Sequence, residues 1–431
     1  MSNGHSHNGC VTVALVGAGN RSGAYTRYSL SNPDRMKIVA VADPNPVHRR
    51  LAAERFNVPS DMQFESHEDI AKRPGLADAV LNCTREVSHY ETAIPLLKAG
   101  YDMLLEKPIA LDEAEVRAII GAARENRRKV MICHVLRYAP FYVKIKEIVT
   151  SGVIGDIVSL RTLESLDYGH IATCYVRDRW HRRDKSGPML LLKCCHDLDI
   201  IAWLLSGVPA VRVASFGSRK VYREENAPAG SGSRCMVDCS IEADCQYSAR
   251  SMYVVKNMLG GAVWQGLRGV KELSPSNKEE FIRNVSPFGR CVWRCDNDQV
   301  DHQSVIVEFA NGVTATHDMF GVAARSTRQI HVVGTKGELH GDMEEGKIML
   351  SRPGVGPDER IRDEIVNVAA EVYDAHSHGG GDQALTADFI SVLKGEPASK
   401  ASTRIEDSLT GHLIAFAADT AMMEHRVVEL L

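Results

Sequence analysis

The chain has 431 residues, of which 44% are hydrophobic and 25% are charged, and its formal net charge is -4. This length exceeds what one hydrophobic core usually covers, so it favours two domains. The small negative charge gives no electrostatic reason to expect nucleic acid or an anionic membrane as a partner. No apolar run reaches the roughly 20 residues that span a bilayer. Residues 1–10 are polar and lack the apolar core of a secretory signal, so we expect a disordered tail and a cytoplasmic protein.

A strand, a glycine turn and the start of a helix are predicted directly after this tail. The β-branched run 11–16 ends at Gly17, and Gly19 and Gly23 follow before helix-compatible sequence begins. In this arrangement backbone amides and a helix N-terminus can receive a pyrophosphate. The spacing is GxGxxxG rather than GxGxxG, so a tight turn without a ligand is the alternative interpretation.

The second predicted strand, residues 37–42, ends at Asp43. A carboxylate at the tip of this strand accepts hydrogen bonds from the adenosine ribose and repels a 2′-phosphate. Neither Pro44 nor Asn45 supplies a cation to offset that repulsion. The sequence therefore predicts NAD rather than NADP as the cofactor.

Two later strands also end in polar groups. Thr84 follows one of them and is expected beside the path of the nicotinamide. Glu106 and Lys107 follow the other, at the carboxyl edge where an open α/β sheet binds ligands. His89 opens the helix between these strands, where a capping or packing role is the alternative.

Alternating strands and helices through residue 133 predict a doubly wound parallel sheet, a Rossmann domain for NAD. Residues 134–431 are predicted to form an α+β domain with a large, mostly antiparallel open sheet. A Cys-rich insertion spans about 222–298, and the C-terminal helix could pack back on the first domain. The predicted helices of the second domain are 141–150, 189–205, 382–393 and 408–423, and the predicted strands are 157–163, 211–216, 303–309, 313–317, 330–333 and 348–351.

The helix predicted at 189–205 carries a lysine and a histidine among apolar residues. At 3.6 residues per turn, Lys193 and His196 share one face, and Asp199 lies beside His196 at i+3. Both basic side chains are costly to bury without partners. An ordinary helix start with capping residues is the alternative, but the apolar residues on both sides favour a functional site.

An aromatic and polar stretch precedes this helix. Sugar sites combine aromatic faces with side chains that bind hydroxyls, and an arginine there could also take a carboxylate or sulfonate. A long surface loop is the alternative. His378 stands in a glycine-rich helix entry that could face the same cleft, although a metal or a flexible loop also fits. The predicted substrate-binding residues are Arg137, Tyr168, His170, Tyr175, Arg177, Trp180 and His378.

The chain contains eleven cysteines, an odd number that favours thiols or metal ligands over a disulfide framework. Cys235, Cys239 and Cys245 have the close spacing of zinc ligands but are only three. Cys291 or Cys295 could supply a fourth. A structural zinc that holds a loop is predicted here, and buried free thiols are the equally weighted alternative.

Taken together, these motifs resemble the glucose–fructose oxidoreductase/inositol dehydrogenase (Gfo/Idh/MocA) family along nearly the whole chain. The resemblance implies an NAD(P)-binding Rossmann domain and a sugar-like or cyclic polyol substrate at the domain interface. It also implies an open sheet used for oligomerisation, and hence a homodimer or homotetramer. The matching stretches are Gly17-Ala18-Gly19-Asn20-Arg21, Asp43 after residues 39–42, His89 ahead of Ala99-Gly100, Glu106-Lys107-Pro108, Ser151-Gly152-Val153-Ile154-Gly155, His196 with Asp199, and Gly334-Thr335-Lys336-Gly337-Glu338.

The resemblance also assigns expected roles to single residues. It implies that Lys107 lies near the nicotinamide and that His196 is a catalytic candidate. Many dehydrogenases of the family carry Asp four residues before this histidine, where this chain has Leu192 followed by Lys193. The expected cofactor-binding residues are Gly17, Gly19, Asn20, Arg21, Asp43, Thr84, His89, Glu106 and Lys107.

The leading hypothesis is NAD-linked oxidation of a secondary alcohol on a sugar, glycoside or polyol. Hydride passes to the nicotinamide while a base removes the hydroxyl proton, a task open to a desolvated lysine or a histidine. Lys193 and His196 are the candidate bases, and Lys107, anchored by Glu106, would orient the hydroxyl. An NAD-dependent glycosidase is the alternative, in which transient oxidation, elimination, water addition and re-reduction leave no net redox change. A non-catalytic NAD-sensing protein is a weaker alternative.

Overall fold

The computed structural model describes residues 9–270, 273–356, 359–368 and 378–430. Two sheets organise this part of the chain, a six-stranded parallel sheet and a nine-stranded, mostly antiparallel sheet. The predicted fold class, a Rossmann domain followed by an α+β domain with a large open sheet, is confirmed. None of the described helices is both long enough and apolar enough to cross a bilayer.

The first sheet has the strand order β3-β2-β1-β4-β5-β6, and every neighbouring pair in it is parallel. The order reverses between β1 and β4, which opens a crevice at the carboxyl ends of these strands. The strands are β1 (Val11–Val16), β2 (Met36–Ala42), β3 (Gln63–Phe64), β4 (Ala79–Asn82), β5 (Asp102–Leu105) and β6 (Val130–Ile132). The helices of this domain are α1 (Ser22–Ser31), α2 (Pro46–Phe56), α3 (His67–Ala71), α4 (His89–Lys98) and α5 (Glu113–Glu125).

The local sequence explains several of these helix starts. Asn45 caps α2, because its side chain accepts hydrogen bonds from two backbone amides of the first turn, and Pro46 occupies the first helical position. Asp112 caps α5 in the same way, through the amide of Glu115. Capping satisfies amides that a helix start otherwise leaves without partners.

The second sheet has the order β14-β13-β12-β11-β7-β10-β9-β8-β15. Its one parallel pair is β7 with β10, and the other neighbours are antiparallel. The strands are β7 (Ile157–Asp167), β8 (Ala210–Ser218), β9 (His302–Phe309), β10 (Thr314–Ala323), β11 (Thr327–Gly334), β12 (Glu338–Asp342), β13 (Lys347–Pro353), β14 (Ile361–Asn367) and β15 (Val428–Glu429). The helices of this domain are α6 (Pro140–Thr150), α7 (Tyr168–Ile171), α8 (Arg183–Ser186), α9 (Met189–Leu204), α10 (Gly260–Val263), α11 (Pro275–Asn284), α12 (Gly381–Leu393) and α13 (Leu409–Glu424).

Helix α9 lies at the centre of the second domain, against β7, β10, α6 and α13. Every residue of this helix is buried except Lys193. A helix that is apolar on all sides belongs in a protein interior. The single partly exposed lysine therefore marks the side of α9 that faces the cleft.

The C-terminal part of the chain contacts both domains. Helix α12 packs against α1, and α13 packs against α9 and β8 and also touches α5. Between these helices, residues 403–405 run beside β6. The amide of Ile132 donates to the carbonyl of Thr403 at 2.8 Å, and the amide of Ile405 donates to the carbonyl of Val130 at 3.0 Å. The last part of the chain therefore extends the edge of the first sheet.

Candidate active site at the domain interface

The glycine turn after β1 lies tightly against the end of β4. Gly17 has a φ of +82°, and a Cβ atom there would lie 2.7 Å from the backbone carbon of Cys83. Glycine is thus required by backbone approach as well as by the dihedral angle. Asp43 holds the turn from the other side, because its Oδ2 accepts from the amide of Ala18 at 2.7 Å and its Oδ1 accepts from Asn45 at 2.8 Å. Each carboxylate oxygen keeps a further lone pair for a ribose hydroxyl.

An arginine from the insertion also reaches this turn. Arg268 Nη1 donates to the carbonyl of Ala18 at 3.3 Å. A Cβ atom on Gly261 would lie 3.5 Å from the side chain of Asn20. Burial lowers the pKa of Arg268, and the charge of Asp43 acts in the opposite direction. No local motif marked Arg268, because only the tertiary path of the insertion brings it to the turn.

The surroundings of Asp43 therefore differ from the sequence expectation in one respect. Pro44 and Asn45 supply no cation, but Arg268 comes from the insertion, and His48 Nδ1 lies 3.8 Å from Asp43 Oδ2. Arg49 Nη1 also donates to the backbone carbonyl of Asp43 at 2.6 Å. The predicted preference for NAD over NADP consequently rests on the Asp43 charge alone.

Glu106 organises the cofactor side of the interface. Its carboxylate accepts from the Tyr25 hydroxyl at 2.7 Å, from Arg21 Nε at 3.1 Å and from the backbone amide of Lys107 at 2.9 Å. Burial alone would raise the pKa of Glu106, but the cations of Arg21 and Lys107 outweigh it and the pKa is lowered. Arg21 also pairs with Asp382 of α12 at 2.7 Å, so this network joins the glycine turn to the second domain.

Lys107 extends from the end of β5 to the second domain. Its Nζ donates to the backbone carbonyl of Leu192 on α9 at 2.7 Å. Glu106 anchors Lys107 through its backbone amide, which leaves the ammonium group to reach the second domain. The ammonium therefore binds the main chain at the position where the resemblance led us to expect an aspartate.

His89 and Thr84 support the cofactor edge through buried hydrogen bonds. His89 is fully buried, with Nδ1 at 2.8 Å from the carbonyl of Pro108 and Nε2 at 3.2 Å from the carbonyl of Thr84. The Thr84 hydroxyl donates to Asn82 Oδ1 at 2.7 Å. His89 thus ties together the loops after β4 and β5, which matches the packing alternative for this residue.

Lys193 is the first of four neighbouring side chains whose charges alternate in sign. Its Nζ lies 3.1 Å from Glu164 Oε1, and Glu164 Oε2 lies 2.6 Å from Arg328 Nε. The same Arg328 atom donates to Asp197 Oδ1 at 3.2 Å. Lys193 is 16% exposed, whereas the two carboxylates are 2% exposed. The sequence reading missed Glu164 and Arg328, which come from β7 and β11.

His196 lies in a row of four histidine rings. Its ring centroid is 5.7 Å from that of His134 and 5.8 Å from that of His378, and His134 is 5.5 Å from His412. Burial, followed by the charge of Lys107, holds the pKa of His196 well below its ordinary value. His196 is therefore neutral at pH 7, and its Nδ1 has no hydrogen-bond partner within the described chain.

The predicted aromatic stretch forms a stacked series of rings. His170 stacks on Tyr175 at 6.4 Å, and Tyr175 stacks on Trp180 at 5.5 Å. Burial lowers the pKa of His170 well below its ordinary value, with Lys193 the largest of several nearby positive charges. At the other end Trp180 Nε1 donates to Glu86 of the first domain at 2.9 Å. The series thus runs from the basic groups of the cleft to the Rossmann domain.

Arg137 and Asp199 form a buried ion pair with each other. Arg137 Nε and Nη2 each donate to one oxygen of Asp199 at 2.6 Å. Nη1 donates to the carbonyl of Ser402 at 3.1 Å, and Nη2 also reaches Asp407 at 3.2 Å. With these partners Arg137 holds α9 to the C-terminal segment, and the predicted contact with substrate has no support in its geometry.

Arg177 and Tyr168 face the insertion. Arg177 is buried, with Nη1 donating to the Tyr253 hydroxyl at 3.1 Å and Nη2 donating to the carbonyl of Tyr247 at 2.7 Å. The ring of Tyr168 packs edge-on to that of Tyr247 at 5.9 Å. The structure therefore brings His170, Tyr175 and Trp180 together with the basic cleft but gives Arg177 and Tyr168 partners in the insertion.

The cysteines of the insertion do not assemble into a three-ligand group. Within the described residues, the group of three His, Cys or acidic side chains with ligand atoms within 4.8 Å of one another is a different one, formed by Cys194, Asp197 and His317. Arg177 Nη2 lies 3.8 Å from Cys235 Sγ, which puts a cation beside that thiol. A zinc ion bound by Cys235, Cys239 and Cys245 remains a prediction from their spacing.

The glycine turn, the acidic tip of β2 and the basic groups across the interface define a two-domain oxidoreductase that binds a nicotinamide dinucleotide. Residues 11–134 match the NAD-binding Rossmann fold of an oxidoreductase family, and residues 146–430 match the C-terminal alpha/beta domain of the same family. The chain belongs to the Gfo/Idh/MocA family of oxidoreductases, as the sequence motifs predict.

Three comparisons illustrate the range of this family. The chain is 23% identical to the oxidoreductase YteT of Bacillus subtilis (strain 168) over 372 residues, which are 82% of each chain. It is 27% identical to an inositol 2-dehydrogenase of Rhizobium meliloti (strain 1021) over 201 residues, 46% of this chain and 56% of the relative. The solved structure of a levoglucosan dehydrogenase in complex with NADH superposes with a TM-score of 0.70 at 18% identity, covering 98% of this chain and 99% of that one. That likeness shows the shared fold.

Proposed function

We propose that this protein is an NAD-dependent oxidoreductase that oxidises a secondary hydroxyl of a sugar, glycoside or polyol. The observation that carries the proposal is the contact of Lys107 with Leu192 at 2.7 Å, next to Lys193 and one turn before His196. This contact brings the edge of the Rossmann sheet onto the helix that presents both basic groups. Relatives named as inositol and levoglucosan dehydrogenases support a polyhydroxylated substrate.

The described residues fit an NAD molecule at the glycine turn. A Cβ atom on Gly19 would meet nothing within 4 Å, so open space lies over the turn before α1. Backbone amides at this turn would hold the pyrophosphate, Asp43 would accept from the ribose, and Arg268 would add a positive charge. Bound NAD supplies the hydride-accepting carbon.

His196 is the group best suited to take the hydroxyl proton. Its pKa is held well below the ordinary value, first by burial and then by Lys107, so the ring is neutral and can accept a proton. Lys107 would stabilise the negative charge that develops on the substrate oxygen, because its ammonium lies at the same interface. Lys193, held by Glu164, would bind a neighbouring hydroxyl.

The stacked rings of His170, Tyr175 and Trp180 would form the wall of the substrate site. Aromatic faces pack on the C–H surface of a sugar ring, while polar side chains bind its hydroxyls. His170 is placed to do both, because it stacks on Tyr175 and lies near Lys193. This arrangement favours a cyclic polyhydroxylated molecule over a simple alcohol.

A substrate screen with two readouts tests the proposal. Cyclic polyols, free sugars, sugar acids and aryl glycosides are each incubated with NAD, and both NADH absorbance and released aglycone are measured. We expect NADH to accumulate with at least one sugar or polyol. The variant His196→Asn should lose this activity, whereas His425→Asn, a change at an exposed histidine, should keep it.

The two alternative outcomes are distinct. Release of aglycone at catalytic NAD without net NADH would replace the dehydrogenase proposal with the redox-neutral glycosidase. NAD binding without turnover of any compound in the screen would point to the sensing role and would contradict the proposal.

We also propose that the protein is a homodimer or homotetramer that associates through the outer face of its large sheet. This face, opposite α9 and α13, exposes large apolar side chains on five strands, which a soluble monomer rarely leaves in contact with water. Sedimentation velocity should give a multiple of 47.4 kDa, and Ile306→Lys on β9 should shift it toward the monomer. A wild-type monomer would refute the assignment. The exposed apolar side chains on the outer face of the sheet are Phe216, Ile306, Phe320, Met349 and Ile365.

A further inference from the structure

We propose that Cys194, Asp197 and His317 form a buried Zn²⁺ site that fixes α9 to the large sheet. Cys194 and Asp197 lie three residues apart on α9, so they share one side of the helix. His317 comes from β10, the strand that pairs in parallel with β7 beneath this helix. All three residues are buried, and one ligand atom from each lies within 4.8 Å of the other two.

The separations are close to those of an occupied site. Zinc–ligand bonds of about 2.0–2.3 Å in a tetrahedron give roughly 3.3–3.8 Å between ligand atoms. Starting from at most 4.8 Å, a contraction of about 1 Å would bring the three atoms onto one ion.

Two atoms at the site have no other partner. Asp197 Oδ2 and His317 Nε2 are both buried and lack a hydrogen bond within the described chain. Their other polar atoms are engaged, since Asp197 Oδ1 accepts from Arg328 at 3.2 Å and His317 Nδ1 lies 2.9 Å from the Thr162 hydroxyl. Buried polar atoms in native proteins are nearly always paired, so two unpaired atoms beside one thiol favour a bound ion.

The partner of His317 favours metal binding. A metal-bound histidine usually donates its second ring N–H to a nearby oxygen, which fixes the tautomer and the ring orientation. The Thr162 hydroxyl can accept from Nδ1–H, and this leaves the lone pair of Nε2 free for a metal. Arg328 does the same for Asp197, because it occupies one carboxylate oxygen and leaves the other free.

The donor set indicates the ion. One thiolate, one imidazole and one carboxylate suit Zn²⁺, whereas Mg²⁺ and Ca²⁺ prefer oxygen ligands throughout. The charges of Glu164 and Asp197 already balance those of Lys193 and Arg328. Zn²⁺ with the Cys194 thiolate therefore adds one net positive charge, and binding releases the thiol proton to solvent.

The proposed ion would act on structure rather than on the reaction. Two of its ligands, Cys194 and Asp197, lie on α9 between Lys193 and Asp199, and the third, His317, joins this helix to β10. A structural site of this kind restrains the helix that presents Lys193 and His196. Metal binding at this site can be measured without turnover and therefore without knowledge of the substrate.

Metal analysis of matched variants tests the site. The wild-type protein is loaded with ZnCl₂, desalted and analysed by inductively coupled plasma mass spectrometry, with the same treatment for each variant. We expect Cys194→Ser and His317→Asn each to lose one zinc per chain relative to wild type. Cys195→Ser, a change at the adjacent buried thiol, should keep it, as should Cys235→Ser in the insertion. Zinc that is lost in Cys235→Ser and kept in Cys194→Ser would overturn the assignment.

Thiol labelling of the wild-type chain gives a readout that does not require a folded variant. Zinc-loaded and chelator-treated proteins are unfolded briefly with iodoacetamide present, and the modified cysteines are identified by peptide mass spectrometry. We expect zinc to slow the labelling of Cys194 relative to Cys195. A Co²⁺-loaded protein should also show thiolate-to-cobalt charge-transfer absorption that Cys194→Ser abolishes. Equal labelling of both cysteines with and without zinc would refute the site.

Discussion

The variant Lys107→Met tests whether the ammonium at the interface stabilises charge in the reaction. Lys107 Nζ makes its contact with Leu192 at 2.7 Å, and a substrate oxygen would approach it at a similar hydrogen-bond distance. At about 3 Å and an effective dielectric constant near 20, an ammonium and an alkoxide attract each other by roughly 5 kcal/mol. Lys193 remains at the site, so we expect a net loss of about 3 kcal/mol and a fall in kcat of roughly 10²-fold.

The measurement is single-turnover formation of NADH at saturating NAD and substrate, together with the NAD dissociation constant from fluorescence. Lys129→Met is the matched control, because the exposed Lys129 also donates through Nζ to a backbone carbonyl of the second domain, that of Val392 at 2.8 Å. The control should keep the wild-type rate. A fall of less than about threefold for Lys107→Met, a loss far below the 3 kcal/mol expected, would refute the role of this ammonium in the reaction.

Three further predictions concern pH, cofactor affinity and stability. Burial lowers the pKa of His412 to about 3, so its contribution to stability is present above pH 6.5 and is lost as pH falls. Urea unfolding should show that loss at about 2 kcal/mol by pH 5, and His412→Gln, but not the exposed His425→Asn, should reduce the pH slope. Arg268→Met should weaken NAD binding about tenfold in a fluorescence titration, while Arg50→Met, at an exposed helix position, should leave it unchanged. Glu164→Gln should lower the free energy of unfolding by about 3 kcal/mol, because it removes a buried charge between two cations; a loss below about 1 kcal/mol would contradict that account.

Local sequence patterns were sufficient to predict the strands and the helix that surround the site. The runs before Gly17, Asp43 and Lys107 are short and apolar because parallel strands are buried on both faces, and each ends at the ligand edge of the sheet. Helix α9 was predicted because apolar residues dominate its sequence, and the structure buries every residue of it except Lys193. Spacing within one element identified Lys193 and His196 as neighbours.

The partners of these residues could not be read from the sequence. Glu164 and Arg328 reach Lys193 and Asp197 from separate strands, and Arg268 arrives from an insertion with no regular pattern. The strand β14 was also missed, because it is an edge strand exposed along most of its length and shows no alternation between buried and exposed residues.

The contact of residues 403–405 with β6 has a consequence for folding during synthesis. The Thr403 hydroxyl donates to the carbonyl of Ile132, which lies 271 positions earlier in the chain. When the first domain leaves the ribosome, the outer edge of β6 therefore has no chain to pair with until nearly the whole protein has been made. An open strand edge invites pairing with other chains. For that interval the Rossmann domain has an open strand edge, although all six strands of its own sheet have already been made.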